Sequence, residues 1–148
     1  MDQQPRILGL DIGDRRVGIA MSDAFGMTAQ PLLTLGRSTL RQELKNIGRL
    51  LRKHQIAEIV AGNPLYMSGD QSPQATKAQA FAAAIRDEFH LPVHLWDERL
   101  TTTEAHRQLD DMGYAQLGRK GIIDQVAAVL ILQSWLDAQA LRRTEAQQ

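Results

Sequence analysis

The sequence of 148 residues contains no cysteine. Disulfide bonds, thiolate catalysis, cysteine-ligated zinc and iron–sulfur clusters are therefore excluded. The sequence also has no apolar run of the roughly 20 residues that a membrane-spanning helix needs, and its N-terminus lacks the basic and apolar regions of a secretion signal. We expect one domain over residues 1–148, located in the cytoplasm and without a membrane partner.

An excess of charge of either sign is also absent, because Lys plus Arg and Asp plus Glu both number 17. Composition alone thus does not indicate a nucleic-acid-binding protein, although a neutral total can hide a basic face beside an acidic pocket. There is no Gly-x-Ser-x-Gly nucleophile motif. No two histidines lie on one predicted helix as a ligand pair; they are His54, His90, His94 and His106.

What the sequence does contain is an early apolar run that ends in an acid. Residues 7–11 predict a buried strand ending at Asp11, Gly13 offers a position for a turn with positive φ, and residues 17–21 predict the second strand of a hairpin. A carboxylate at the end of a buried strand needs a cation, a hydrogen-bond donor or a proton. Asp11 therefore fits either a turn residue that caps its own backbone or a ligand of a metal or phosphate.

Hydrophobic periodicity and turn-forming residues predict the remaining elements. They are a strand over 27–35, a helix capped by Ser38 and running to about His54, a strand over 58–62, a helix over 70–90 whose alanines indicate close packing on the sheet, a strand over 91–96, a helix over 103–112 capped by Thr101 or Thr102, and a helix from about Lys120 to Leu141. Pro31 places the third strand at a sheet edge, because proline cannot donate to the ladder. Residues 142–148 are predicted to form a frayed tail.

This order, β-β-β-α-β-α-β-α-α, predicts an α/β fold. A leading antiparallel meander followed by parallel strands gives a mixed five-stranded sheet with helices on both faces.

Three carboxylates follow or lie within apolar sequence: Asp11, Glu98 and Asp124. If the first and last parallel strands are neighbours, Asp11 and Glu98 lie close together, and the final helix can bring Asp124 to them. Acids this close repel one another, and Mg²⁺ or Mn²⁺ bound by carboxylate oxygens removes the repulsion. Such a cluster suits two-metal hydrolysis of phosphodiester bonds.

Each acid also has an ordinary structural explanation. Glu98 could pair with Arg99 or cap a helix, and its neighbour Asp97 is a rival for the same role. Asp124 could simply be a favourable charge near a helix N-terminus. The combination of all three acids at the ends or flanks of core elements is what favours a metal site.

Two sets of basic residues could contact a phosphate backbone. The first repeats along the helix that follows Ser38, where a solvated outer face is the more ordinary explanation; it comprises Arg37, Arg41, Lys45, Arg49 and Lys53. The second flanks the acids, and we favour it because a substrate must reach them; it comprises Arg16, Arg99, Arg119 and Lys120. Asn63 joins this second set because loops at strand ends collect binding residues.

Four blocks of the chain resemble one protein family, the RuvX/YqgF family of Holliday junction resolvase-like proteins and pre-16S rRNA nucleases. The blocks are Asp11-x-Gly13-x-x-Arg16-x-Gly18-x-Ala20, Gly62-x-Pro64-x-x-x-x-Gly69, Asp97-Glu98-Arg99-Leu100-Thr101-Thr102 and Lys120-Gly121-x-x-Asp124-x-x-Ala127-Ala128. They follow the family's order and span almost the whole chain. One departure is Asn63, where the family often has an apolar residue.

The resemblance implies an RNase H-like fold and places Asp11, Glu98 and Asp124 at the family's acidic metal-binding positions. It also implies a hydrolase acting on ester bonds that matures the 5′ end of 16S rRNA during ribosome biogenesis. Cleavage of branched DNA and a non-catalytic RNA- or ribosome-binding role are the alternatives. The Asp-x-Gly hairpin also resembles the phosphate loop of actin-like and sugar kinases, which need a much longer chain. We expect a monomer or weak dimer.

Overall fold

The computed structural model describes residues 3–101, 107, 111 and 123–147, with the backbone alone described at 123 and 124. A five-stranded mixed sheet forms the centre of the fold, in the spatial order β3-β2-β1-β4-β5. Its strands are β1 (Arg6–Ile12), β2 (Arg16–Ser22), β3 (Ala29–Gly36), β4 (Ile56–Asn63) and β5 (Val93–Asp97). The first three strands are antiparallel, β4 runs parallel to β1, and β5 runs parallel to β4. The predicted mixed sheet is confirmed.

Strand β3 lies at the edge of the sheet, as Pro31 predicts. The β2–β3 register shifts at this proline, since Ile19 pairs with Leu33 whereas the next residue, Ala20, pairs with Pro31. An extra residue in the edge strand accommodates a position that cannot donate to the ladder.

Helices cover both faces of the sheet. Helices α1 (Leu40–Lys53) and α2 (Pro73–Phe89) lie on one face, and helix α3 (Ile123–Ala146) lies on the other. The N-cap of α1 is Thr39, whose hydroxyl accepts from the Gln42 N–H, and not the predicted Ser38. Helix α2 begins as its sequence indicates, with Ser72 as N-cap and a proline in the first turn.

Alternation along β1 divides its side chains between two cores. Leu8 and Leu10 face α1 and α2, together with the buried alanines of α2 that the sequence predicts to pack on the sheet. Ile7 faces α3 and contributes to a second core with Leu132 and Trp135. Gly9 and Asp11 share the face of Ile7, so the acid at the end of β1 lies on the α3 side.

Helix α3 packs closely on the sheet because Gly9 has no side chain. A Cβ added at Gly9 would lie 2.7 Å from the Leu132 Cβ and 3.2 Å from the Ala128 carbonyl oxygen. The helix runs to Ala146, five residues beyond the predicted end, so the segment predicted to be frayed is helical over most of its length. The predicted helix over 103–112 lies outside the described residues, apart from two positions.

None of the helices in the described part of the chain is long and apolar enough to cross a membrane.

Candidate metal-binding active site

Asp11 lies within β1, not in the turn that follows it. It is partly buried, and it pairs across the ladder with Gly18 of β2. The turn is closed two residues later by a hydrogen bond from the Gly13 N–H to the Arg16 carbonyl, 2.9 Å long. A turn residue capping its own backbone is therefore not the role of Asp11.

Gly13 is required for a reason other than the predicted positive φ. Positive φ angles occur at Gly26 and Gly69 among the described glycines, and not at Gly13. A Cβ at Gly13 would instead lie 2.9 Å from the Arg16 carbonyl oxygen, the same atom that closes the hairpin. The glycine thus permits a tight turn by its lack of a side chain.

The sequence brings Asp11 and Glu98 together on the condition that their strands are neighbours, and this condition is not met, because β4 lies between β1 and β5. The register pairs Leu10 with Ala61, so that the next positions along these two strands, Asp11 and Gly62, lie side by side. A Cβ at Gly62 would lie 3.0 Å from Glu98 Oε2 and 3.2 Å from its carboxyl carbon. The Glu98 carboxylate therefore lies against the bare backbone of β4, on the side of Asp11.

The two acids interact electrostatically across this glycine. Burial raises the pKa of Glu98 to about 7, with further contributions from the negative charges of Asp11 and Asp97. A carboxyl group with such a pKa is close to half protonated near neutral pH. A cation bound between the acids would offset the free energy that it costs to ionise Glu98 beside Asp11.

Asp97, the alternative to Glu98, is held by hydrogen bonds from Arg99. Arg99 donates to Asp97 through its side chain, with an Nη2–Oδ2 distance of 2.6 Å, and its backbone N–H also donates to that carboxylate. These hydrogen bonds from Arg99 lower the pKa of Asp97, which is thereby held as an anion against its own turn. The predicted alternative of a Glu98–Arg99 pair is wrong, since Arg99 pairs with Asp97.

The first turn of α3 lies at the same level of the sheet as Asp11. The Gln125 side-chain amide donates to Thr34 Oγ1, and Thr34 pairs with Gly18, which itself pairs with Asp11. The backbone of Asp124, the preceding residue, is helical there, and its side chain lies outside the description. Among the described residues no group of three His, Cys, Asp or Glu side chains could hold a metal ion; a three-acid site would need a ligand from outside them, and Asp124 is the one that the sequence analysis names.

The structure gives the predicted substrate-binding residues different surroundings. Arg16 is exposed at the start of β2. The Arg99 Nη1 donates to the Met67 carbonyl at 3.2 Å, and Asn63 Oδ1 accepts from Gln79 Nε2 at 3.0 Å. Arg99 and Asn63 thus both brace the loop after β4. Arg119 and Lys120 lie outside the described residues.

Arg37 does not belong to the solvated basic stripe in which the sequence places it. Its guanidinium bonds the buried Glu43 carboxylate at 2.6 Å, donates to the Gly13 carbonyl at 2.7 Å, and lies over the Phe81 ring at 4.8 Å. It therefore fastens the hairpin that carries Asp11 to both helices of the opposite face. The one acid in α1, Glu43, was the available sequence clue to this role.

Comparison with known proteins agrees with this geometry. The profile of the RuvX family, described as Holliday junction resolvase, matches residues 5–138. A protein of Koribacter versatilis named "Putative pre-16S rRNA nuclease" is 45% identical over 140 residues, covering 95% of this chain and 92% of the relative. A protein of Pelotomaculum thermopropionicum with the same name is 43% identical over 142 residues, with the same two coverages.

Solved structures share the fold at low sequence identity. The chain is similar to T. thermophilus RuvC in complex with a Holliday junction substrate, with a TM-score of 0.64, 13% identity, and coverage of 93% of this chain and 96% of that one. It is also similar to the yeast mitochondrial Holliday junction resolvase Ydc2, with a TM-score of 0.59, 13% identity, and coverage of 95% and 81%. The predicted RNase H-like fold is confirmed. With a family profile spanning most of its length and relatives above 40% identity, this chain belongs to the RuvX family.

Proposed function

We propose that this protein is a metal-dependent nuclease that hydrolyses phosphodiester bonds at the 5′ end of precursor 16S rRNA. The observation that carries the proposal is the placement of the Glu98 carboxylate over Gly62, on the side of Asp11. Glu98, whose pKa is raised by burial and by the charge of Asp11, makes with Asp11 a suitable pair of ligands for a hard divalent cation.

Asp11, Glu98 and Asp124 are the residues that would hold the metal, Mg²⁺ or Mn²⁺. When bound, the metal would activate a water molecule and stabilise the leaving oxygen, in a two-metal arrangement. Asp11 lies near the end of β1, Glu98 directly follows β5, and Gly62 allows them to approach. Asp97 and Arg99 position Glu98 by fixing the turn on which it lies.

The choice of RNA as substrate comes from the names of the relatives, because a shared fold does not determine the substrate. Arg16, Asn63, Arg99, Arg119 and Lys120 are the residues we propose to contact it. Of the described members, Arg16 and Arg99 both have the exposed position that a phosphate contact requires.

Cleavage of branched DNA is the second candidate, favoured by the description of the family profile as Holliday junction resolvase. A junction-cleaving enzyme must cut two strands, and the acids proposed above form a single site in each copy of the chain. Oligomeric state in the presence of a junction therefore bears directly on this alternative.

The deciding experiment compares cleavage of precursor 16S rRNA with cleavage of a four-way DNA junction, each with Mg²⁺, Mn²⁺, Ca²⁺ or EDTA. We expect cleavage of the RNA with Mg²⁺ or Mn²⁺ and none with Ca²⁺ or EDTA, because the bound water must be activated. A Glu98→Gln protein is the control for contaminating ribonuclease. Undiminished cleavage in EDTA by a preparation that passes this control would contradict the metal mechanism, and cleavage of the junction alone would favour the resolvase.

A further inference from the structure

The exposed charged residues of α1 are all basic, in a chain whose net charge is zero. The five residues that form this surface, here called the basic crest, are all exposed: Arg41, Lys45, Arg49, Arg52 and Lys53. At about 100° per residue they fall within a sector of about 120° on the helix, and from first to last they span about 18 Å. None of the five forms an ion pair with another described residue.

The only acid in α1 does not moderate this charge. Glu43 is 5% exposed and faces inward, where it bonds Arg37 and accepts from the Ser38 N–H. The nearest acid on the neighbouring helix is Glu88, which lines the groove between α1 and α2. Arg41, Lys45 and Arg52 line the same groove, whereas Arg49 and Lys53 do not. The charge of Glu88 therefore disfavours a phosphate inside the groove, and the side of the crest away from Glu88, at Arg49 and Lys53, favours one.

The crest begins at the end of the sheet that carries the acids. The Arg37 backbone N–H donates to the Arg15 carbonyl, and its side chain donates to the Gly13 carbonyl, so the start of α1 is tied to the turn that follows Asp11. Arg15 and Arg16 are exposed on this turn, and the acid of the turn, Asp14, is paired with Lys77. A row of cations thus leads from the hairpin beside the acids, around the end of the sheet, to α1 on the opposite face.

From this arrangement we propose that the basic crest binds the phosphate backbone of the double-stranded part of an RNA substrate, away from the strand being cut. The acids face the α3 side and the crest faces outward on the other side, so one short single strand cannot occupy both. A duplex lying across the hairpin end can present phosphates to Arg15 and Arg16 and then to the crest. This proposal rests on the proposed function, because it assumes that the acids act on RNA.

The test compares two triple variants that remove the same charge. The crest variant is Lys45→Gln/Arg49→Gln/Lys53→Gln, and the control is Arg86→Gln/Arg142→Gln/Arg143→Gln, at exposed positions away from the crest. Binding is measured as a function of salt for two RNAs, a duplex with a single-stranded 5′ extension and the extension alone. Far-UV circular dichroism and thermal melts establish that both variants fold.

We expect the crest variant to bind the duplex RNA at least about tenfold more weakly at low salt, with a salt slope smaller by about two to three, since each lost phosphate contact removes about one. Binding of the short extension should not change, nor should either measurement in the control variant. Equal losses in both variants, or no loss in the crest variant, would overturn the proposal. Binding to anionic phospholipid vesicles is measured as well. If the crest variant loses vesicle binding but keeps its RNA binding, the proposal is also overturned.

The two proposals fail separately in this design. If the wild-type protein cleaves precursor RNA but the crest variant binds duplex normally, the crest proposal fails and the nuclease proposal stands. If the wild-type protein cuts no RNA but the crest variant still loses duplex binding, the nuclease proposal fails and the crest remains an RNA-binding surface.

Discussion

At the scale of single residues, the site depends on the absence of a side chain at Gly62. Gly62 lets the Glu98 carboxylate lie over β4, and it also lies under Ile131 of α3, whose Cδ1 would be 2.6 Å from an added Cβ. Neither neighbour can move freely, because Ile131 is buried in the second core. Overpacking here should therefore affect both stability and the distance between the acids.

We predict that Gly62→Ala lowers the free energy of unfolding by about 1–3 kcal/mol and sharply reduces metal-dependent cleavage. The matched control is Gly36→Ala, since no atom lies within 4 Å of a Cβ added at Gly36. We expect the control to change stability by less than about 1 kcal/mol and to leave cleavage intact. Urea denaturation and a cleavage assay check both variants; equal behaviour of the two alanines would contradict the prediction.

The raised pKa of Glu98 predicts how stability depends on pH in the metal-free protein. The folded state binds the Glu98 proton more tightly than the unfolded chain, in which the pKa of this group is near 4.5. The contribution of this proton to the free energy of unfolding is therefore complete below pH 4.5 and is lost as the pH rises through about 7. The carboxyl group is only partly buried, so we expect a loss on the order of 1–2 kcal/mol.

The measurement is a series of urea denaturations in EDTA between pH 4 and pH 8. The Glu98→Gln protein should not show this fall in the free energy of unfolding with rising pH. The Asp11→Asn protein should show a smaller fall than the wild type, because the Asp11 charge contributes to the raised pKa of Glu98. Parallel curves for wild type and Glu98→Gln would show that Glu98 is an ordinary solvated carboxyl group.

At the scale of elements, the ion pair between Arg37 and Glu43 connects strands and helices that are far apart in the sequence. Arg37 connects β3 to the β1–β2 hairpin and to both helices of one face, while its partner Glu43 is 5% exposed. Removing one member of a buried pair leaves the other without its counter-charge, which costs more than removing both.

We expect Arg37→Met to lower the free energy of unfolding by about 2–4 kcal/mol. The double variant Arg37→Met/Glu43→Gln should recover part of this loss, because glutamine can still accept from the Ser38 N–H without carrying a charge. A double-mutant cycle by urea denaturation measures the coupling. Additive effects of the two substitutions would place the stabilising role of Arg37 in its contacts with Phe81 and the hairpin instead.

The elements were more predictable than the contacts between them. Pro31 indicated an edge strand, and the alanines of α2 indicated a face packed on the sheet, because both effects act locally. The strand order was not predictable, since nothing near Asp11 or Glu98 indicates that β4 lies between them. Ser38 and Thr39 are both good capping residues, and their roles were decided by Glu43, which takes the Ser38 N–H.

At the scale of the whole molecule, the proposed third ligand is on a different element from the other two. The resemblance places Asp124 with Asp11 and Glu98, and the level of Gln125 along β3 supports this placement. If Asp124 only favours its helix N-terminus, Asp124→Asn should cost about 0.3–1 kcal/mol or nothing. If it completes the acidic cluster, the metal-free variant should be more stable than wild type because one repelling charge is gone.

We therefore predict that Asp124→Asn raises the melting temperature in EDTA, that Mg²⁺ raises the melting temperature of the wild type more than that of the variant, and that cleavage falls steeply. Thermal melts of both proteins, with EDTA and with Mg²⁺, and one cleavage assay check these expectations. A variant that melts lower in EDTA, responds equally to Mg²⁺ and still cuts RNA would return Asp124 to the helix-terminus role.

The position of β4 between the two acids has a consequence for the newly made chain. Asp11 is synthesised early and Glu98 late, and they meet only when β5 has joined β4 beside β1. In a chain that is still being synthesised, Asp11 and Glu98 are hydrated and far from each other. If the site acts as proposed, a ribosome can thus synthesise this nuclease beside its own RNA while the activity is withheld until the sheet is complete.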